Sequence, residues 1–166
     1  THNVTKPNGI ALSPDEKTMY LADHDNGTDR IDPTQPAPKL GPMRIYSFPL
    51  GSDGLVSGPR RTLIDFGDQA GCDGMTVDSA GHVYLTPRGL KRPGVLVIDS
   101  NGHKVAFIPT GPKNQVADPN KPPVGIPSNV EFGTGAESNV LYITVDFSLY
   151  RIPLKVKGHH PELAGS

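Results

Sequence analysis

The sequence predicts an all-β chain folded as a partial β-propeller of about three four-stranded antiparallel blades. Three observations carry that expectation: a unit that occurs three times, a series of short apolar runs, and a composition rich in turn residues. The unit opens on a polar residue, continues as a short apolar run, turns tightly, and ends in a second run holding Tyr-Leu or Tyr-Ile. It reads Asn8-Gly9-Ile10-Ala11-Leu12 before Thr18-Met19-Tyr20-Leu21, then Asp73-Gly74-Met75-Thr76-Val77 before His82-Val83-Tyr84-Leu85, then Ser128-Asn129-Val130-Glu131-Phe132 before Val140-Leu141-Tyr142-Ile143. The openings Asn8, Asp73 and Ser128 lie 65 and 55 residues apart, near the roughly 40–50 residues of a propeller blade.

Taken in order, short runs rich in Val, Ile, Tyr and Phe and bounded by Gly, Pro, Asn and Asp predict strands at about 9–13, 18–23, 43–49, 60–66, 74–78, 82–86, 94–99, 104–109, 129–133, 139–144 and 148–153. No window carries a helical apolar stripe of comparable strength. Ser13-Pro14-Asp15-Glu16 has the proline of a type I turn, and Ser52-Asp53-Gly54 and Ser100-Asn101-Gly102 are hairpin turns. Grouped in fours, the strands give blades at about 9–66, 74–109 and 129–153, the third lacking its outer strand, and a tail at 154–166. Three blades do not close a ring of the usual four to eight. The expectation is therefore one unit, residues 1–166, whose ring is completed by upstream blades or by a second copy of the chain. The edges left open are expected to make the isolated chain dimerise, aggregate or fold poorly.

Composition narrows the partners. The 166 residues have a formal net charge of -1 and a pI near 6.5, which gives no electrostatic reason for nucleic acid or an anionic membrane. Gly 19 and Pro 18 make about 22% of the chain, below the level at which an aperiodic sequence reads as disordered. No apolar run approaches the roughly 20 residues of a membrane-spanning helix. The single cysteine, Cys72, excludes an internal disulfide and leaves the redox compartment open. No signal peptide is read in these residues, and a start at Thr1 rather than Met leads to the expectation that a leader or a whole upstream segment lies outside them.

The three units, taken in order with the strand Leu149-Tyr150-Arg151-Ile152 and the tail Val156-Lys157-Gly158, resemble the C-terminal half of the gluconolactonase/regucalcin family. The resemblance implies a six-bladed ring, of which this chain is half, with one divalent metal at the mouth of the tunnel and hydrolysis of a sugar-acid lactone. It implies Asn8 and Asp73 as metal ligands and Asp73 as the catalytic carboxylate. The family's remaining ligands, a glutamate and another asparagine, match no residue here. An amide oxygen and a carboxylate are hard donors of the kind Ca²⁺ takes, with Zn²⁺, Mg²⁺ or Mn²⁺ as alternatives, and Ca²⁺ needs about 6–8 of them. The other reading of Asn8-Gly9 and Asp73-Gly74 is that both are turn dipeptides ahead of strands.

If each inner strand begins on the metal face, loops 24–42, 87–93 and 110–128 surround the mouth. Ser128, Asn129, His24 and Arg88 are then the expected substrate-binding residues, with solvated loop as the alternative for His24 and Arg88. Asp23-His24-Asp25-Asn26-Gly27-Thr28-Asp29 has its glycine at the wrong place for an EF-hand. Cys72 reads as a packing residue, and His159-His160 as an exposed part of the tail. A non-catalytic propeller that binds a small ligand or a protein on the same face is the alternative function.

Overall fold

Alternation of apolar and polar residues between Pro, Gly and Asx turns puts the chain into eleven strands in the computed structural model, which describes residues 4–27, 34 and 40–161. Strands β1 (Pro7–Leu12), β2 (Thr18–His24), β3 (Met43–Pro49) and β4 (Arg61–Asp65) form a first antiparallel sheet in sequence order. A second contains β5 (Cys72–Val77), β6 (Val83–Pro87), β7 (Gly94–Ile98) and β8 (Lys104–Pro109). The third has three strands, β9 (Pro127–Phe132), β10 (Val140–Val145) and β11 (Ser148–Pro153), with a 3-10 turn at Gly135–Glu137 between the first two. No helix among the described residues is long and apolar enough to cross a membrane.

The middle sheet is buried on both faces, and the period-2 alternation of its strands divides the core into two layers. Val83, Leu85, Leu96 and Ile98 pack with Tyr20, Ala22 and Ile45 of the first sheet. Tyr84, Val95 and Val97 face the other way, onto Val130, Phe132, Leu141, Ile143 and Val145 of the third. Such two-sided burial explains why β7 reads as the unbroken apolar run Gly-Val-Leu-Val-Ile. Its hairpins close through one device used twice: Asp78 and Asp99 each accept the backbone N–H groups two and four residues on, and each meets the His ring at the fourth, His82 at 2.9 Å and His103 at 3.0 Å.

The outer faces of the first and third sheets are unlike each other. Tyr46 and Phe48, on the face of the first sheet turned away from the second, are 1% and 2% exposed, with the Arg60 guanidinium 4.1 Å above the Tyr46 ring. The far face of the third sheet carries the polar Asn129, Glu131, Tyr142 and Thr144. The tail is also less free than expected. It crosses under the third sheet to the second, where Ser79 donates to Lys157 O at 2.8 Å and His159 to Val77 O at 2.9 Å, so that His159 is half-buried.

Every strand lies within two residues of its expected span, and the displacement is systematic at the inner strands. β1, β5 and β9 all begin two residues early, because each contains a one-residue bulge, in the first two at the dipeptides Asn8-Gly9 and Asp73-Gly74 whose alternative reading was a turn. Pro7 and Ile10 pair with Asp23 and Leu21, Cys72 and Met75 with Pro87 and Leu85, and Pro127 and Asn129 with Val145 and Thr144. An extra residue bends a strand and re-aims the side chains beside it. Here it turns Asn8, Asp73 and Ser128 at the same level of three adjacent sheets.

The bulges also bring the inner strands unusually close. A Cβ on Gly9 would stand 2.3 Å from Asp73 O, and one on Gly74 2.0 Å from Asn129 Oδ1. Gly9→Ala should therefore lower stability in urea by about 1–3 kcal/mol, the usual cost of overpacking. At Gly89 an added methyl meets nothing within 4 Å, and Gly89→Ala should change stability by no more than about 0.5 kcal/mol. Equal effects at the two positions would contradict the close approach.

Candidate functional site

Residues at the repeat spacing touch one another across the sheets. Asn8 Nδ2 donates to Asp73 Oδ1 at 2.8 Å, across the 65-residue interval. One turn of pleat below, Thr76 Oγ1 donates to Glu131 Oε1 at 2.7 Å, across the 55-residue interval. Between these rungs lie Gly9, Gly74 and Asn129, and the three strands enclose a cleft of about 380 Å³ lined by Asn8, Ile10, Met75, Ser128, Asn129 and Glu131 together with the two glycines. A second hollow of about 350 Å³ continues below it past Ile10, Met75 and Glu131, and its floor is His159, His160 and Pro161 of the tail.

Asp73 is the electrostatic centre. Its side chain is 27% exposed, with His24 Nδ1 3.7 Å from Oδ1 and Arg88 Nε 3.5 Å from Oδ2. His24 above all, then the positive charge of Arg88 and the Asn8 amide, holds the carboxyl below its ordinary value of 3.8, against the opposing effect of burial. The group is thus ionised throughout the neutral range. Arg88 is fixed at its other end by donating from Nη1 to Pro127 O at 3.1 Å. His24, at the end of β2, is only 7% exposed, and its Nδ1 has no hydrogen-bond partner. It stands beside Asp73 rather than at the open surface of the cleft.

The third sheet supplies hydroxyl and amide groups. Ser128 Oγ and Thr144 Oγ1 share a hydrogen bond at 2.9 Å, and Thr144 also accepts from the Asn129 N–H at 2.9 Å. Asn129 Oδ1 accepts from the Val130 N–H at 2.9 Å. Thr86 braces the bulges from below, donating to Gly74 O at 2.8 Å and Ser128 O at 3.2 Å. Thr86, Glu131 and Thr144 were not identified from sequence. The 65- and 55-residue spacing that marked Asn8, Asp73 and Ser128 also aligns Ala11, Thr76 and Glu131, and that signal could have found Glu131.

Other expectations are placed as follows. Burial pushes the Cys72 thiol up to about 12, and its Sγ donates to Gly74 O at 3.3 Å, so it packs rather than reacts. Asp23 is buried and accepts from the backbone of Thr5 at 3.1 Å and Lys6 at 2.8 Å, a tether for the entry to β1. Thr28 and Asp29 lie outside the described residues.

The donors present suit a hard cation. The Asn8 amide donates from Nδ2 to Asp73, its Oδ1 accepts from no protein group among the described residues, and the Asp73 carboxylate is adjacent. No group of three or more His, Cys, Asp or Glu is gathered for a metal among the described residues. Asn8 and Asp73 thus fit as two donors of a larger oxygen set.

Comparison with known proteins settles the family: the SMP-30/Gluconolactonase/LRE-like region matches residues 1–146. The chain belongs to that family. It is 35% identical over 112 residues to a lactonohydrolase of Aspergillus oryzae, covering 63% of this chain and 23% of that protein. It is 27% identical over 163 residues to a gluconolactonase of Zymomonas mobilis, covering 93% and 36%. A solved gluconolactonase from Xanthomonas campestris matches with a TM-score of 0.57 and 29% identity, over 89% of this chain and 37% of that one. A calcium-binding regucalcin from Agrobacterium tumefaciens matches in fold, with a TM-score of 0.64 and 20% identity, over 94% and 48%. The chain thus spans less than half the length of each of these relatives.

A depressed carboxyl value makes the ionised form a stabilising one. The contribution of Asp73 is complete above the ordinary value of 3.8 and fades as pH falls through the lowered one. Arg88→Gln should move the Asp73 titration, followed by carbon-13 NMR of the side-chain carboxyl, to higher pH. An unmoved titration would mean that Arg88 does not act on the carboxylate in solution.

Proposed function

We propose that this family member is the part of a metal-dependent lactonase that contributes Asn8 and Asp73 to a divalent-cation site at the mouth of a propeller tunnel. The hydrogen bond between these residues, made at the repeat spacing on the inner strands, is the observation that carries the reading. The relatives named as lactonohydrolase and gluconolactonase support the chemistry. The neighbour described as calcium-binding supports the choice of Ca²⁺, with Zn²⁺, Mg²⁺ and Mn²⁺ as the alternatives.

Asn8 Oδ1 and the Asp73 carboxylate would hold the ion, which when bound supplies polarisation of a lactone carbonyl and a more acidic water. The overall reaction adds water across the ring ester: oxygen joins the carbonyl carbon, the bond to the ring oxygen breaks, and that oxygen takes up a proton to give the hydroxy acid. Asp73, ionised at neutral pH, orients the attacking water as a hydrogen-bond acceptor. Its lowered value makes it a better ligand and acceptor than a proton store, because an efficient general base titrates near the working pH. Arg88 fixes the Asp73 oxygens and His24 supports the carboxylate from its buried side. Ser128 and Asn129 meet substrate hydroxyls.

The reading treats residues 1–166 as one half-propeller, its ring completed by further blades or a second copy. Among the described residues no strand pairs with the outer edge of β11, and Phe147, Leu149 and Tyr150 are exposed beside it, which supports a covering partner there.

In the assembled protein, Asp73→Asn and Asp73→Ala should reduce lactone hydrolysis, followed by acid release in a pH-stat, by several orders of magnitude while the melting transition is kept. Chelation followed by return of the cation should abolish and restore turnover. Full activity of Asp73→Ala at saturating metal would rule out this role for Asp73, and activity indifferent to chelation would rule out the metal.

A further inference from the structure

Glu131 stands where the two hollows of the tunnel meet, and it lines both. Its Oε1 is held from two directions, by Thr76 Oγ1 at 2.7 Å and by the Phe132 N–H at 2.8 Å. That leaves a carboxylate of fixed orientation on the tunnel wall, with no Lys, Arg or His paired to it among the described residues. Among the described residues the upper cleft has no Lys or Arg in its wall, and Arg88 is engaged by Asp73 and Pro127 O. In the upper cleft Glu131 is accompanied by the neutral polar groups of Asn8, Ser128 and Asn129, and in the lower hollow by the His159 and His160 rings.

In the upper cleft a carboxylate flanked by neutral groups attracts hydroxyl donors and repels anions. Hydrogen bonds to a charged partner are worth more than neutral ones, and a like charge at close range costs a comparable amount. We propose that Glu131 is a specificity-determining residue of the cleft: it binds the hydroxyl groups of a neutral polyhydroxylated ring and excludes rings that carry a carboxylate. The inference deepens the lactonase reading and rests on it for the identity of the reacting ligand, while the recognition itself follows from the wall. The walls on either side, Ile10 and Met75, are apolar and offer nothing to compete for the hydroxyls.

The test uses ligands that no lactonase can open. Binding of 1,5-anhydroglucitol, tetrahydropyran and methyl glucuronide to the protein in calcium-containing buffer is measured by calorimetry or ligand-observed NMR. The protein should prefer anhydroglucitol to both of the others. In Glu131→Gln the affinity for anhydroglucitol should fall about ten-fold, tetrahydropyran should be unaffected, and the glucuronide should gain. Thr76→Val removes the tether on Oε1 and keeps the carboxylate, so it should retain the preference for the neutral polyol whatever it does to stability. No binding of anhydroglucitol, an unchanged preference in Glu131→Gln, or a glucuronide bound as well as the neutral sugar would each overturn the proposal. A protein that binds the polyol through Glu131 and hydrolyses no lactone would refute the lactonase reading and leave this inference standing.

Discussion

One extra residue in each inner strand is the constraint on which the rest of the molecule depends. A regular strand would send Asn8, Asp73 and Ser128 to whichever face the alternation dictates, and the pairing with β2, β6 and β10 would continue unbroken. The bulge instead bends each strand at the same height, and the glycines within two of them let neighbouring backbones approach to a distance that no Cβ would permit. Side chains one repeat apart then come within hydrogen-bond reach, Asn8 to Asp73 above and Thr76 to Glu131 below. Fold and site are in this sense the same feature: the contact that joins the sheets is also the contact that assembles the polar groups.

The electrostatics follow from that assembly. Asp73 is brought beside His24 and Arg88 by β2 and by the segment after β6, and the resulting field keeps it charged. Glu131 lines the adjoining hollows and has no ion-pair partner among the described residues. Two carboxylates on adjacent inner strands therefore have different surroundings, one oriented and neutralised in part, the other oriented and left bare. Differences of that kind separate the roles of like residues within one site.

Much of the architecture was legible in the sequence because each strand is a short apolar run ended by a turn signal, and because the unit occurs three times with recognisable spacing. β7 was read as a strand from its continuous apolar run, and its burial on both faces explains why it does not alternate. The bulges were not legible. Asn8-Gly9 and Asp73-Gly74 look like turns, and the same permissive dipeptides serve a kinked strand equally well; only the pairing with the next strand distinguishes the two. Glu131 and Thr86 were missed for a related reason, since their side-chain partners lie on other strands, Thr76 for the first and Gly74 and Ser128 for the second. His159-His160 was read as exposed because it follows the last strand, yet the backbone of the tail bonds to the second and third sheets, and His159, His160 and Pro161 line the lower hollow.

The central claim is that three equivalent bulges focus hard oxygen donors on one axis, where they hold a divalent cation. The most direct measurement is a crystal structure of the protein grown or soaked with calcium. The account predicts one ion at about 2.3–2.6 Å from both Asn8 Oδ1 and an Asp73 carboxylate oxygen, with Asn8 turned or kept so that its oxygen faces the ion. Calcium bound elsewhere, or Asn8 and Asp73 remaining joined only to each other at saturating calcium, would contradict it.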